Sequence, residues 1–186
     1  MTGCTTVSTQ ESAPGKPAGI DTLSVSVEEE IGLYRQAITA LNNSQLDYAE
    51  TELKKIAKKR PEFSGPWINL ALIDIRRKNM ENAEKNLVKA LERNPKMSQA
   101  FNALGFIELS RSNYIKAADN YRKAFTIKDD YAIAHYNYAL LHDIYLQDIQ
   151  VATRHYRRYL ALTKNPDKIT EDWVLELERE LAKGAK

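Results

Sequence analysis

The chain has 186 residues, enough for one domain that buries roughly two thirds of its unfolded surface, and no second domain is required. Apolar residues make up 43% and charged residues 28%, near globular averages, which excludes a wholly disordered or membrane-embedded polypeptide. A net charge of +2 is too mild for a duplex-binding surface, which concentrates many unpaired Lys and Arg on one face, so nucleic acid is set aside as a partner.

From Met1 to about residue 25 the sequence is rich in Thr, Ser, Gln, Pro and Gly, too polar to bury a core, and residues 1–25 read as a disordered tether. Its one cysteine, Cys4, is also the only one in the chain, so no intrachain disulfide can form. Small residues directly before Cys4 and a polar spacer after it resemble the processing site of a bacterial lipoprotein. That resemblance implies acylation of Cys4, with Thr5 favouring the outer membrane of a Gram-negative envelope and the folded part facing the periplasm. A random coil from Cys4 to Ser26 would reach about 25 Å, holding that part near the bilayer. The alternative is a plain thiol in a cytoplasmic protein.

Beyond the tether a repeat begins. Ala37, Ala71, Gly105 and Ala139 recur every 34 residues, and Ala49, Ala83 and Ala117 keep the same period, with Ala152 one residue late. Small residues at fixed register let paired helices approach closely. Large residues accompany them: Trp67-x-x-Leu70-Ala71, Phe101-x-x-Leu104-Gly105, then Ala-x-x-x-large at Ala49/Leu53, Ala83/Leu87, Ala117/Tyr121 and Ala152/Tyr156. Pro61 and Pro95, again 34 apart, stop the helices before them.

The spacing predicts helices over about 27–42, 46–60, 64–77, 80–93, 98–110, 114–127, 131–145 and 149–163, the first opened by a Ser26-x-x-Glu29 capping box. The extra residue between Ala139 and Ala152 leaves the path of 141–150 open. A ninth helix, about 168–182, carries Trp173, Leu177 and Leu181 on one face and charges on the other, as a solvating cap would; the alternative is that Trp173 anchors a partner or a dimer. The pattern W-x-x-L-G, A-x-x-x-F and P at a period of 34 resembles the tetratricopeptide family. The resemblance covers about 27–162 and implies an all-α superhelix of four helical hairpins (26–165) plus a C-terminal capping helix (166–186). Asp129 stands where a third proline would be, and Ala40, Asp74 and Glu108 replace an expected tyrosine.

No phosphate loop, dinucleotide loop or nucleophile–base pair can be assembled, so neither an enzyme nor a cofactor is expected. His135, His142 and His155 form the only ligand-like grouping, a minor metal-binding or enzymatic alternative; more simply, His135 fills the large position taken by Trp67 and Phe101. The basic runs Lys54-Lys55, Lys58-Lys59-Arg60 and Arg76-Arg77-Lys78 complement helix C-termini, with anionic lipid headgroups as the functional alternative.

In the tetratricopeptide family the first helices of successive repeats line a concave groove. Carried over by position, that surface is Tyr34, Ile38, Ile68, Leu72, Ile75, Asn102, Phe106, Leu109, Tyr136 and Leu140. The family's clamp for a C-terminal carboxylate is not expected: Asn69 matches it, but Tyr34, Ile38, Gln99 and Ala103 take its other places. The mostly apolar groove implies a protein or peptide partner with an apolar or amphipathic segment. Resemblance to envelope lipoproteins of this type suggests pilus, secretin or surface-protein assembly; the alternative is a soluble cytoplasmic co-chaperone or regulator. Oligomeric state is not indicated.

Overall fold

The computed structural model describes residues 21–164 and 167–184; Cys4 and most of the expected tether lie outside them. Among the described residues there are nine α-helices and no strand. They are α1 (Asp21–Asn42), α2 (Leu46–Lys59), α3 (Ser64–Arg76), α4 (Met80–Arg93), α5 (Ser98–Ser110), α6 (Tyr114–Ile127), α7 (Ala132–Leu141), α8 (Ile149–Leu162) and α9 (Lys168–Gly184). A π-helical segment, His142–Leu146, extends α7.

Consecutive helices pair into hairpins, α1 with α2 through α7 with α8, and each second helix packs on the first helix of the next hairpin; α9 packs on α8 where a further first helix would lie. The odd-numbered helices α1, α3, α5 and α7 also touch in sequence, so equivalent positions on them fall along one face. The small-residue series sits at the pairing seams: Ala37, Ala71, Ala139, Ala49, Ala83, Ala117 and Ala152 are all fully buried. At Gly105 the seam leaves no room for a side chain, since a Cβ there would lie 2.6 Å from the Tyr121 ring.

Three loops share one design. Ser44, Lys78 and Ser112 follow their helices with φ 61°, and the next backbone N–H reaches back to close the end: Gln45 to Ala40 O (2.8 Å), Asn79 to Asp74 O (2.8 Å) and Asn113 to Glu108 O (2.9 Å). The fourth repeat keeps the acceptor, His142 O, but the donor is Asp148 at 3.0 Å, six residues on rather than five. The extra residue is absorbed inside the π segment, and Gln147 takes the left-handed position with φ 53°. Periodicity resumes at Asp148, whose carboxylate accepts from Val151 N at 3.0 Å.

The first helix departs from the expected start. It begins at Asp21 rather than Val27, so Ser26 and Glu29 lie inside the helix rather than at its start. No proline or glycine interrupts residues 21–31. The ends of α2, α4 and α6 fall at Lys59, Arg93 and Ile127, 34 apart, although only the first two are followed by a proline. At the third, Asp129 ties the loop down: its carbonyl accepts from His135 Nε2 at 3.0 Å and its carboxylate pairs with Arg158.

Candidate functional site

One register on the odd-numbered helices carries an apolar residue in every repeat: Ile38, Leu72, Phe106 and Leu140. Leu72 is 36% and Phe106 42% exposed, and Ile38 and Leu140 are half-buried. Large apolar side chains left accessible at one register of successive repeats form a stripe that water covers at a cost.

The other expected groove residues divide by fate. Ile68 is 7% exposed and belongs to the core cluster around Leu87 and Ile107, while Ile75 and Leu109 pack against the edges of such clusters. Tyr34 and Asn102 are spent on their neighbours: Asn69 Nδ2 donates to Tyr34 Oη and to Gly65 O, both at 2.8 Å, and Asn137 Nδ2 donates to Asn102 Oδ1 at 2.9 Å. These amide bonds stitch α1 to α3 and α5 to α7 along the same face. They also occupy Asn69, the residue at the carboxylate-clamp position.

A separate cleft of about 420 Å³ opens at the first hairpin, walled by Val27, Ile31, Tyr34, Ile56 and Phe63, with Arg60 at its rim. Gly65, in its wall, makes room for the Tyr34 hydroxyl, because a Cβ there would come within 2.6 Å of Tyr34 Oη. The Arg60 guanidinium lies 4.5 Å over the Phe63 ring and pairs with Glu30 at 2.9 Å and Glu62 at 2.7 Å, so its charge is already answered.

The basic runs are largely paired. Lys54 meets Glu50, Lys55 meets Glu52 (2.8 Å), Lys59 meets Glu30 (2.7 Å) and Arg77 meets Asp47 and Glu50. The Arg77–Glu50 bridge recurs one repeat on as Arg111–Glu84 at 2.8 Å. These arginines join one hairpin to the next.

The histidines pack rather than converge. His135 is 3% exposed, stacks on Phe125 at 4.7 Å, and shares a 3.0 Å hydrogen bond between its Nδ1 and that of His155. A backbone carbonyl only accepts, so His135 Nε2 carries the proton toward Asp129 O, and His155 Nδ1–H donates to the bare His135 Nδ1. Burial first, then the charges of His135, Arg154 and His142, push the His155 pKa down to about 4. His142 is also lowered by burial, and both its ring nitrogens are buried without a partner beside the Tyr138 ring at 4.4 Å. Among the described residues no three His, Cys, Asp or Glu side chains converge as a ligand set.

The sequence reading missed an aromatic and acidic group at the far end of the odd-helix face. Tyr136 meets Tyr156 at 5.8 Å and Tyr159 at 5.0 Å, and Tyr159 Oη donates to Asp167 Oδ2 at 2.9 Å. Tyr156 and Tyr159, three apart on α8, were a usable signal for one aromatic face.

Residues 20–166 match the family model described as the tetratricopeptide repeat protein 21 C-terminal ARM domain. Solved structures share the fold. MamA is 18% identical over 88% of this chain and 86% of that one, with a TM-score of 0.59. PilF of Pseudomonas aeruginosa is 18% identical over 82% and 70%, with a TM-score of 0.71. The Cut9–Hcn1 hetero-tetramer of the APC/C gives 15% identity, 80% of this chain and 29% of that one, and a TM-score of 0.68. No curated protein sequence matches significantly. At these identities the structural likenesses establish architecture alone.

Proposed function

This chain belongs to the tetratricopeptide-type helical repeat family typified by the tetratricopeptide repeat protein 21 C-terminal ARM domain, and from that premise we propose that it is a non-catalytic scaffold that holds an apolar or amphipathic polypeptide segment in a concave groove. The observation that carries this is the accessible stripe of Ile38, Leu72, Phe106 and Leu140, one residue per repeat on helices that stack side by side. First helices of neighbouring repeats lie roughly 8–10 Å apart. A ligand helix rising 1.5 Å per residue covers that span in about five to seven residues. An amphipathic helix with an apolar face along its length would therefore meet each repeat in turn.

Leu72→Asp and Phe106→Asp test this directly, because both side chains are exposed and their replacement leaves the seams untouched. The double variant should keep its helical circular dichroism and lose at least tenfold in affinity for a partner recovered from native membranes and re-measured in purified form. Undiminished binding would place the site elsewhere.

The finer reading is a lipid-anchored envelope adaptor, on the periplasmic side of the outer membrane, serving pilus, secretin or surface-protein assembly. The residues around Cys4 and the polar run after it support it. No described helix is long and apolar enough to cross a membrane, so an anchor of this kind would be the attachment this reading needs. Mass spectrometry of the native product should find a diacylglycerol-modified Cys4; an unmodified thiol would end the anchor and the compartment together.

A further inference from the structure

At the junction of α7, α8 and α9 three accessible aromatic side chains are linked through one buried ring. Tyr136 and Tyr159 are partly exposed and Trp173 is 40% exposed. Between them lies Tyr156, fully buried, 5.8 Å from Tyr136 and 6.0 Å from Trp173. The ring planes cross at 56–64° rather than stacking flat.

Two carboxylates bond to these phenols. Tyr159 Oη donates to Asp167 Oδ2 at 2.9 Å and Tyr156 Oη donates to Asp143 Oδ2 at 3.3 Å. A phenol that donates to a carboxylate gains electron density in its ring, which strengthens the negative face that attracts cations. Asp167 also accepts from Thr170 N at 3.1 Å and Thr170 Oγ1 at 2.9 Å, and these bonds hold its carboxyl below the usual range. Every one of those donors is neutral. Among the described residues neither Asp143 nor Asp167 has an ion pair with Lys, Arg or His, whereas Lys168, next in sequence, is taken by Asp172 at 2.8 Å. Negative charge therefore accumulates beside electron-rich rings with no Lys, Arg or His among the described residues paired to it.

We propose that Tyr136, Tyr159, Trp173 and Asp167 form a recognition site for a cationic side chain, an arginine or lysine of the bound polypeptide. Tyr136 lies one helical turn before Leu140, the last member of the apolar stripe, so the site stands at that stripe's C-terminal end. The identification of the ligand as a polypeptide rests on the groove reading; the attraction for a cation does not. A partner would then carry apolar residues for Leu72, Phe106 and Leu140 and a basic residue beyond them, which fixes the direction in which it lies.

The test has two arms. In the first, N-acetyl-L-arginine amide and its neutral isostere N-acetyl-L-citrulline amide are titrated into the full chain at constant ionic strength and followed by NMR. Arginine amide should move the Trp173 indole N–H and the Tyr136 and Tyr159 ring signals saturably, with a Kd on the order of tens of millimolar, and citrulline amide should not. Asp167→Asn keeps an acceptor for the Thr170 backbone N–H, so α9 stays capped, yet it should abolish the response. In the second arm, an amphipathic Leu/Ala helix ending in arginine should bind about tenfold more tightly than the same helix ending in citrulline. Equal shifts with the two amides, or a response that survives Asp167→Asn, would overturn the site. Amide titrations that succeed while neither helix binds would keep the site and remove the groove.

Discussion

A buried histidine pair gives the fourth repeat a pH dependence whose sign can be worked out from its surroundings. His155 is enclosed by His135, Phe125 and Tyr138; Arg154 on its own helix and His142 oppose its protonation, Arg122 lies against Tyr138, and Asp129 lies 3.9 Å from His135 Nε2. Its folded pKa, near 4, lies below the ordinary value of 6.5. As pH falls below about 6.5 the unfolded chain takes up a proton that the folded chain refuses, so stability declines until about pH 4 and then levels off. With screening by the solvent that reaches this half-buried ring, the loss should be on the order of 2 kcal/mol, or about 4–8 °C in Tm for a domain of this size. His155→Gln removes the titrating group but keeps a polar side chain. Melting curves between pH 7.5 and 5 should show a shallower decline for this variant, and an identical slope would mean that other groups cause it. The reason these histidines face one another was not readable from spacing alone. His135 and His142 share a helix face at seven residues, but the partner His135 actually meets is on α8, across the extra residue.

The helices themselves were legible because steric necessity repeats every 34 residues. The same spacing that marks Ala37, Ala71, Gly105 and Ala139 as small marks Leu53, Leu87, Tyr121 and Tyr156 as the large residues opposite, with Tyr156 one residue late. Two features escaped. A residue count shows that one residue is extra without saying which turn takes it; the hydrogen bond from Asp148 to His142 O places it in the π segment. Likewise Ile68 and Leu72, four apart, share one apolar stripe, and only the rotation of α3 against its neighbours decides that Ile68 is core and Leu72 is open. The Gly105–Tyr121 seam shows how tightly the small and large series are matched. Alanine is the better helix former by about 1 kcal/mol, yet its Cβ would meet the Tyr121 ring at 2.6 Å, and Tyr121 is fully enclosed. Gly105→Ala should therefore destabilise the protein by about 1–2 kcal/mol despite the gain in propensity. The second repeat already pairs Ala71 with Leu87 at the equivalent positions. Adding Tyr121→Leu to Gly105→Ala should accordingly cost less than the sum of the two single changes, and strict additivity in denaturant melts would refute the match.

At the scale of the whole molecule, a stack in which each hairpin touches mainly its neighbours has an open end unless something covers it. Here α9 does so. Val174 and Leu177 enter one cluster with Ala139, Ala152 and Tyr156, Thr170 is buried at its start, and Glu178 bridges to Arg157 at 2.6 Å. Uncovering that surface should cost several kcal/mol, since burying one aliphatic side chain contributes about 1.5–3 kcal/mol. The loss should also be local. Because coupling passes from hairpin to hairpin, a chain ending at Thr163 should lose amide protection in α7 and α8 first, while α3 and α4, two interfaces away, keep most of theirs. Leu177→Ala offers a milder version, expected to cost about 2–3 kcal/mol with the same gradient. Hydrogen exchange resolved along the chain reads both variants. Protection that falls evenly from α1 to α8 would mean that the four hairpins unfold as one unit, and protection unchanged in α7 and α8 would mean that α9 contributes nothing as a cap. In that second case its exposed Trp173 and Leu175 would be left as a surface with no structural duty.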